Sequence, residues 1–210
     1  YTTEDGQDGL ALRFFALAKE TGAYTIKDGV TALGSNSMQK AQFTGVTIPK
    51  SVRSVNSFAF SNSNIESVTF AGSPSFGTEF ETGATPGQGA FNSCESLREI
   101  KNFPNVDALP AQLFSTAKSL ETFTIPETVT SIGNSAFSNT AITSITIPAG
   151  VKEMGNALFS TDASTVEGEE PTRTALTVTF EKGSQLSSIG NSCFAGLDSY
   201  QLLFDPADAD

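Results

Sequence analysis

The stretch Phe123-Thr-Ile-Pro-Glu-Thr-Val-Thr-Ser-Ile-Gly-Asn-Ser-Ala-Phe137 recurs, degraded but in register, from Tyr24 to Phe204. Its short apolar-polar-apolar start reappears at Tyr24, Val46, Val68, Ile100, Ile145, Val178 and Leu202, which makes eight copies. A second apolar pair follows in most of them: Val30/Leu33, Val52/Val55, Val106/Leu109, Val129/Ile132, Val151/Met154 and Leu186/Ile189. A third mark then closes all but the last copy, at Met38, Phe60, Phe91, Phe114, Phe137, Phe159 and Phe194. The undisturbed spacing is 22 or 23 residues. A period of this size predicts stacked coils, none able to bury its apolar face alone. Strand alternation sends one set of side chains inward. The recurring Phe is expected to stack on the Phe of the next coil, and 17 Phe with no Trp suit a dry interior. Gly34, Gly133, Gly155 and Gly190 are expected to permit a tight turn at positive φ. Pro49, Pro104, Pro126 and Pro148 are expected to stop a strand, since each lacks the ladder donor.

The pattern Ile-Gly-Asn-Ser-Ala-Phe followed by Ile-x-x-Ile-x-Ile-Pro resembles the BspA-like (Treponema-type) leucine-rich repeats of bacterial surface proteins, over Tyr24 to Pro206. The resemblance implies a leucine-rich-repeat solenoid: a right-handed superhelix of about eight coils, with short parallel β-strands on its concave side. It also implies export to the cell surface and a role in adhesion or host-protein binding.

Ahead of the repeats, Thr3 to Thr21 reads as a helix. Asp5 or Asp8 would cap it, Leu10, Phe14, Leu17 and Ala18 share one face, and Gly22 marks a stop. The expected organisation is one continuous domain: an N-terminal helical cap over 1–22 and a repeat domain over 23–210, with insertions at 71–88 and 161–174.

Composition narrows function mainly by exclusion. A net charge of −11 disfavours nucleic acid, whose phosphates need clustered Lys and Arg. No apolar run reaches the roughly 18 residues of a membrane span. The chain opens Tyr-Thr-Thr-Glu-Asp without a secretory signal, so its start reads as a mature or trimmed end. Histidine is absent, which removes Ser-His-Asp triads, Cys-His dyads and His-ligated zinc. Cys94 and Cys193 lie several coils apart and read as small buried or half-buried thiols. Asp5 and Asp8 near one end, and Asp205, Asp208 and Asp210 near the other, match no calcium-loop spacing. A non-catalytic domain with no cofactor and no metal is expected.

Function is sought where the period breaks. The insertion Ala71–Gln88 carries Phe76 and Phe80 and is expected to leave the C-terminal end of a concave strand. The insertion Thr161–Thr174 precedes a strand and carries Glu167, Glu169 and Glu170, so the two should emerge on opposite rims. Inserted loops often carry binding, although lengthening a loop costs only about 0.6 kcal/mol per doubling, and Phe76 and Phe80 also suit tacking the loop to its own coil. Between the insertions, Ile100-Lys-Asn-Phe103 holds one extra residue, which predicts a bulge. Arg98, Glu99, Lys101 and, one coil on, Glu121 concentrate charge there. Outward Thr25, Thr47, Thr69, Thr124, Thr146 and Thr179 form a row that Lys101 and Leu203 interrupt, read either as β propensity or as a hydroxyl platform.

The expected function is recognition of a protein, such as a host matrix or surface protein, through the concave sheet and the first insertion. Its contacts would be Phe76, Phe80, Arg98, Glu99, Lys101 and Glu121. The alternatives are a spacer or stalk module of a larger surface protein and a glycan-binding accessory protein. After Phe204 no capping helix is visible, so end-to-end self-association through the C-terminal coil is a further expectation.

Overall fold

A computed structural model describes residues 21–77, 86–161 and 175–204, together with the backbone of 10–12. These residues form short strands, in chain order β1 (Leu10–Leu12), β2 (Ala23–Thr25), β3 (Val30–Leu33), β4 (Gly45–Ile48), β5 (Ser54–Val55), β6 (Ser67–Phe70), β7 (Ser75–Phe76), β8 (Glu99–Lys101), β9 (Ala108–Leu109), β10 (Ser131–Ile132), β11 (Ser144–Ile147), β12 (Glu153–Met154), β13 (Leu176–Phe180), β14 (Ser188–Ile189) and β15 (Tyr200–Phe204). Every pairing between them is parallel and joins one coil to the next.

Each coil contributes to three sides of a solenoid. The first side is a ladder of the longer strands, β2-β4-β6-β8 and β11-β13-β15. Its register puts Val46 opposite Val68 and Ile145 opposite Val178, facing inward, and aligns Thr25, Thr47, Thr69 and Lys101 outward. The second side is a ladder of two-residue strands, β1-β3-β5-β7 and β9-β10-β12-β14, which aligns Leu33 with Val55 and Phe76, and Leu109 with Ile132, Met154 and Ile189. The two ladders are joined by the expected proline corner. Pro49, Pro126 and Pro148 offer no N–H, but their carbonyls accept the N–H three residues on, from Val52 (3.1 Å), Val129 (3.0 Å) and Val151 (3.1 Å).

The third side has no strands. Every second residue donates its N–H to the following coil: Gln112 to Asn134 O (2.8 Å), Phe114 to Ala136 O (2.9 Å) and Thr116 to Ser138 O (2.8 Å). Residues two before and two after the stacked Phe are left-handed in most coils, as at Gln112 and Thr116 (φ 56° and 63°) or Ser135 and Asn139 (φ 55° and 56°). Such conformations cost about 1–3 kcal/mol each in non-glycine residues, and here they point the donors along the stacking axis. The recurring glycines do something else. Gly133, Gly155 and Gly190 do not have positive φ, contrary to the turn role expected of them. They are sites of close backbone approach: a Cβ at Gly155 would sit 2.5 Å from Asn134 N, and one at Gly133 or Gly190 would meet Ala111 N or Asn156 N. The left-handed residue lies two positions further on, at Ser135, Ala157 and Ser192.

The expected phenylalanine column runs through the core. Phe60, Phe91, Phe114, Phe137, Phe159 and Phe194 stack with centroids 5.2, 5.8, 6.0, 5.7 and 5.9 Å apart in sequence. A spacing near 6 Å is slightly wider than the 4.7–4.9 Å of a strand ladder, and rings fill it without polar atoms. Beside the column, Phe103 and Phe123 pack on Phe114 at 6.1 and 5.0 Å.

Three further expectations need correction. First, within the span read as a capping helix, Leu10–Leu12 is a strand, parallel to β3 with a register shift after Leu10; the rest of 1–20 lies outside the described residues. The backbone there meets the edge of β3, whose ladder donors and acceptors favour an added strand. Second, Phe123–Pro126, the best copy of the motif, forms no strand, because the preceding coil is displaced (below). Third, the first insertion does not leave from a long strand. After β6 the chain completes its corner and forms β7, so Phe76 occupies the short-strand ladder opposite Val55. Residues 78–85 lie outside the described residues, and the ends on either side of them meet closely: a Cβ on Gly77 would lie 2.6 Å from Pro86 Cα. Gly77 and Pro86 themselves lie where the second side passes into the third.

Cys94 and Cys193 are buried and unbridged. Burial pushes the Cys94 thiol from 9.0 up to about 11, partly opposed by hydrogen bonding to Ser63. At pH 8 only about one native molecule in a thousand then carries the thiolate that reacts. Iodoacetamide is expected to spare Cys94 in the folded chain and label it in denaturant; complete labelling of the native protein within minutes would refute this. Because the folded value is raised, this thiol's contribution to stability is full below about pH 9 and declines as pH climbs towards about 11.

Candidate functional site

The long-strand face is regular except at one place. In an intact step, the carbonyl that precedes each strand accepts two N–H groups from the next coil: Gly22 O from Thr44 and Gly45, Thr44 O from Glu66 and Ser67, Glu66 O from Arg98 and Glu99. The series stops at Arg98. β8 ends at Lys101, and Asn102 turns left-handed (φ 55°), absorbing the extra residue. Phe103 thereby reaches the inward place one residue late, with its ring 5.6 Å from Phe70 and 5.0 Å from Phe123, edge-on to both. The next coil, Thr122–Ile125, pairs with neither β8 nor β11.

A slot of about 410 Å³ opens at this break. It is lined by Arg98, Glu99, Ile100, Asn102, Phe103 and Asn105 from one coil and by Thr122, Phe123, Thr124 and Pro126 from the next. Its size lies within the range of roughly 300–1,000 Å³ typical of ligand clefts. Half-buried Phe103 and Phe123 supply apolar surface, while exposed Arg98, Asn102, Asn105, Thr122 and Thr124 supply donors and acceptors.

The candidate residues divide. Arg98 and Glu99 line the slot. Lys101 is tied to Glu99 by an ion pair at 3.0 Å, with both side chains more than half exposed (56% and 54%), so the pair is worth at most about 1 kcal/mol. Glu121 occupies in its coil the place that Arg98 holds in the previous one, yet the two form no ion pair. Among the described residues Arg98 has no acidic partner. Phe76 is half-buried in the core instead of standing on the rim; it stacks on Phe103 at 5.4 Å, beneath the slot. Phe80 and residues 162–174 lie outside the described residues. Sequence reasoning missed Asn105, Thr122 and Phe123; it held Asn102 and Phe103 only as part of the irregular strand and Thr124 only as one of the outward threonines. The signal was the extra residue in Ile100–Phe103, which was read as a bulge within a strand and not as a break between coils.

A second groove, of about 630 Å³, runs from Phe76 and Pro86 at the loop neck along β9, β10, β12 and β14, past Gly133, Gly155 and Gly190. Asparagines knit its floor: Asn156 and Asn191 donate their N–H to Asn134 Oδ1 (2.8 Å) and Asn156 Oδ1 (2.7 Å). The last described coil leaves Tyr200 55% and Phe204 56% exposed, each stacked at 4.5 Å on the preceding ring, Phe194 or Phe180.

Parallel ladders, proline corners and an internal phenylalanine column define a leucine-rich-repeat solenoid. The sequence matches the BspA type leucine-rich repeat region in six copies, over residues 13–82 and 31–167, which is more than half of the chain, and the chain belongs to this family. No curated protein matches the sequence. Among solved structures, a leucine-rich cell surface protein from Faecalibacterium prausnitzii is similar over 96% of this chain and 76% of its own, at 20% identity and a TM-score of 0.52. The pneumococcal vaccine antigen PcpA is similar over 84% of this chain and 44% of its own, at 19% identity and a TM-score of 0.48. A leucine-rich repeat protein from Bacteroides ovatus is similar over 97% of this chain and 74% of its own, at 18% identity and a TM-score of 0.33. Among the described residues no helix is long and apolar enough to cross a membrane.

Proposed function

We propose that this chain is a non-catalytic recognition domain of the cell surface, which binds a protein partner through its long-strand face and the first inserted loop. The carrying observation is that, among the described residues, the break in the long-strand ladder coincides with a slot whose rim holds a cation with no acidic partner. Family membership supports a surface interaction module, since stacked repeats of this kind present extended binding faces. Arg98, Glu99, Lys101 and Glu121 are the contacts on the face, Phe80 is the contact on the loop, and Phe76 supports Phe103 from below.

The test is capture of matrix and cell-surface proteins on the immobilised chain, comparing wild type with a variant carrying Arg98→Ala, Glu99→Ala, Lys101→Ala and Glu121→Ala. A loss of affinity of at least about tenfold, or 1.4 kcal/mol, is expected, because a few residues dominate such interfaces. Capture that is unchanged by the four substitutions would remove the site assignment.

A second reading is a spacer module whose coils stack end to end, supported by the exposed rings of Tyr200 and Phe204. Light scattering across a concentration series distinguishes it: a constant monomer mass argues against this reading, and a mass that rises with concentration and is lost on Phe204→Ser supports it.

A further inference from the structure

We propose that the slot beside β8 is a strand-docking site, which takes an extended acidic peptide segment of the partner as an added strand. This rests on the recognition reading above and specifies its ligand. The argument begins with the backbone. Arg98 and Glu99 both donate to Glu66 O, at 2.9 and 3.1 Å, so the N–H of Glu99 faces β6. In an extended strand successive residues present their backbone groups to opposite edges. The N–H and C=O of Ile100 therefore face the other way, towards Thr122–Thr124. In the intact step at the start of the solenoid the same edge is used, and Ile26 N–H donates to Thr47 O at 3.0 Å. At the break no backbone hydrogen bond joins Ile100 to the Thr122–Thr124 segment, and the carbonyl of Arg98 lacks the pair of donors that Gly22, Thr44 and Glu66 receive. Three backbone groups in a row, Arg98 C=O, Ile100 N–H and Ile100 C=O, thus border the slot without a strand partner.

An open strand edge is a template for another chain. Strand addition draws its affinity from main-chain bonds and its selectivity from the side chains beside them. Here the neighbouring side chains choose. The Phe103 and Phe123 rings lie on the inner side of the slot and accept an apolar residue. Arg98 stands exposed at the mouth with no acidic partner among the described residues, while the Lys101 cation is already held by Glu99. Of the charged side chains that line the slot, Glu99 is held by Lys101 and Arg98 is left to meet a ligand. A guanidinium prefers a carboxylate, which it can meet with two parallel hydrogen bonds. The fitting ligand is accordingly an extended segment that alternates acidic and apolar residues, with the apolar side chains inward and a carboxylate on Arg98.

The probe is a fluorescein-labelled decapeptide of alternating Glu and Val, blocked at both ends, titrated with the full chain and read by anisotropy. A Lys-Val decapeptide tests charge. Two Glu-Val peptides, one N-methylated at every Glu and one at every Val, test main-chain pairing, because only one of the two N–H sets faces β8. The expected result is saturable binding of the Glu-Val peptide, at least tenfold weaker binding of Lys-Val, and loss of binding for one N-methylated peptide but not the other. Arg98→Gln should weaken Glu-Val binding about tenfold while leaving the thermal midpoint unchanged. Absence of Glu-Val binding, equal binding of Lys-Val, or equal binding of both N-methylated peptides at wild-type strength would overturn the proposal. If protein capture nevertheless depends on the four face residues, strand docking falls and the recognition surface stands.

Discussion

Phe114→Ala is expected to lower the thermal midpoint by about 6–20 °C. Phe114 is fully buried at the middle of the column and meets Phe91 and Phe137 along it, and Phe103 and Phe123 beside it, at 5.8, 6.0, 6.1 and 5.0 Å. Truncating a buried Phe costs about 3–5 kcal/mol in transfer and cavity terms. Each kilocalorie shifts the midpoint of a chain this size by about 2–4 °C. The backbone offers little room to collapse into the void, because Phe114 N–H is held to Ala136 O and its neighbours Gln112 and Thr116 are held to the same coil. The damage should reach the slot, since Phe103 and Phe123 would lose their common support. Circular dichroism melts of the variant and wild type decide the matter, and a shift below about 2 °C would mean that the column does not carry the core.

Two glycines five residues apart should respond with opposite signs. Gly155→Ala places a Cβ 2.5 Å from Asn134 N, on backbone that Asn134 Oδ1 already fastens to Asn156 N–H. Neither coil can yield without breaking that contact, and overpacking of this kind costs about 1–3 kcal/mol. Gly150→Ala meets nothing nearer than 3.7 Å, and Gly150 is not among the positive-φ residues. There the lost freedom of the unfolded chain dominates, and stabilisation of about 0.4–1 kcal/mol is expected. Urea unfolding of the two variants beside wild type measures both. If Gly155→Ala proves neutral, close approach is not the reason for glycine at this place in the coil.

Much of the architecture was legible because the repeat states it many times over. The inward Val and Ile positions, the stacked Phe and the proline corners recur at fixed offsets, and any one of them can be checked against its neighbours a coil away. The glycines were located correctly but explained wrongly. A glycine needed for positive φ and one needed for close approach look the same in sequence, and only the distance from Gly155 to Asn134 separates them. Leu10–Leu12 was misread for a related reason: an apolar stripe at helical spacing also contains the alternation of a strand, and the waiting edge of β3 is not a property of the segment itself.

The candidate site was half legible. The extra residue near Asn102 and the charges around it were visible, and Arg98 and Glu99 do line the slot. Phe123 was not anticipated there, because it belongs to the copy that best matches the motif and gave every sign of being a strand. Whether a strand pairs depends on its neighbour's register as much as on its own residues. One additional residue in Ile100–Phe103 delays the inward turn, withdraws the partner edge and leaves a well-formed motif without a ladder.

The chain's sequence alone therefore determined that it coils, how often, and which side chains fill the interior, since periodic burial of apolar side chains is a local, repeated requirement. The tertiary structure alone decided where the ladder opens, which backbone groups border the slot without strand partners, and that Phe76 packs half-buried against Phe103 on the short-strand side. Those outcomes depend on the alignment of one coil against the next, and the hydrogen bonds that fix that alignment join residues 21 or more positions apart.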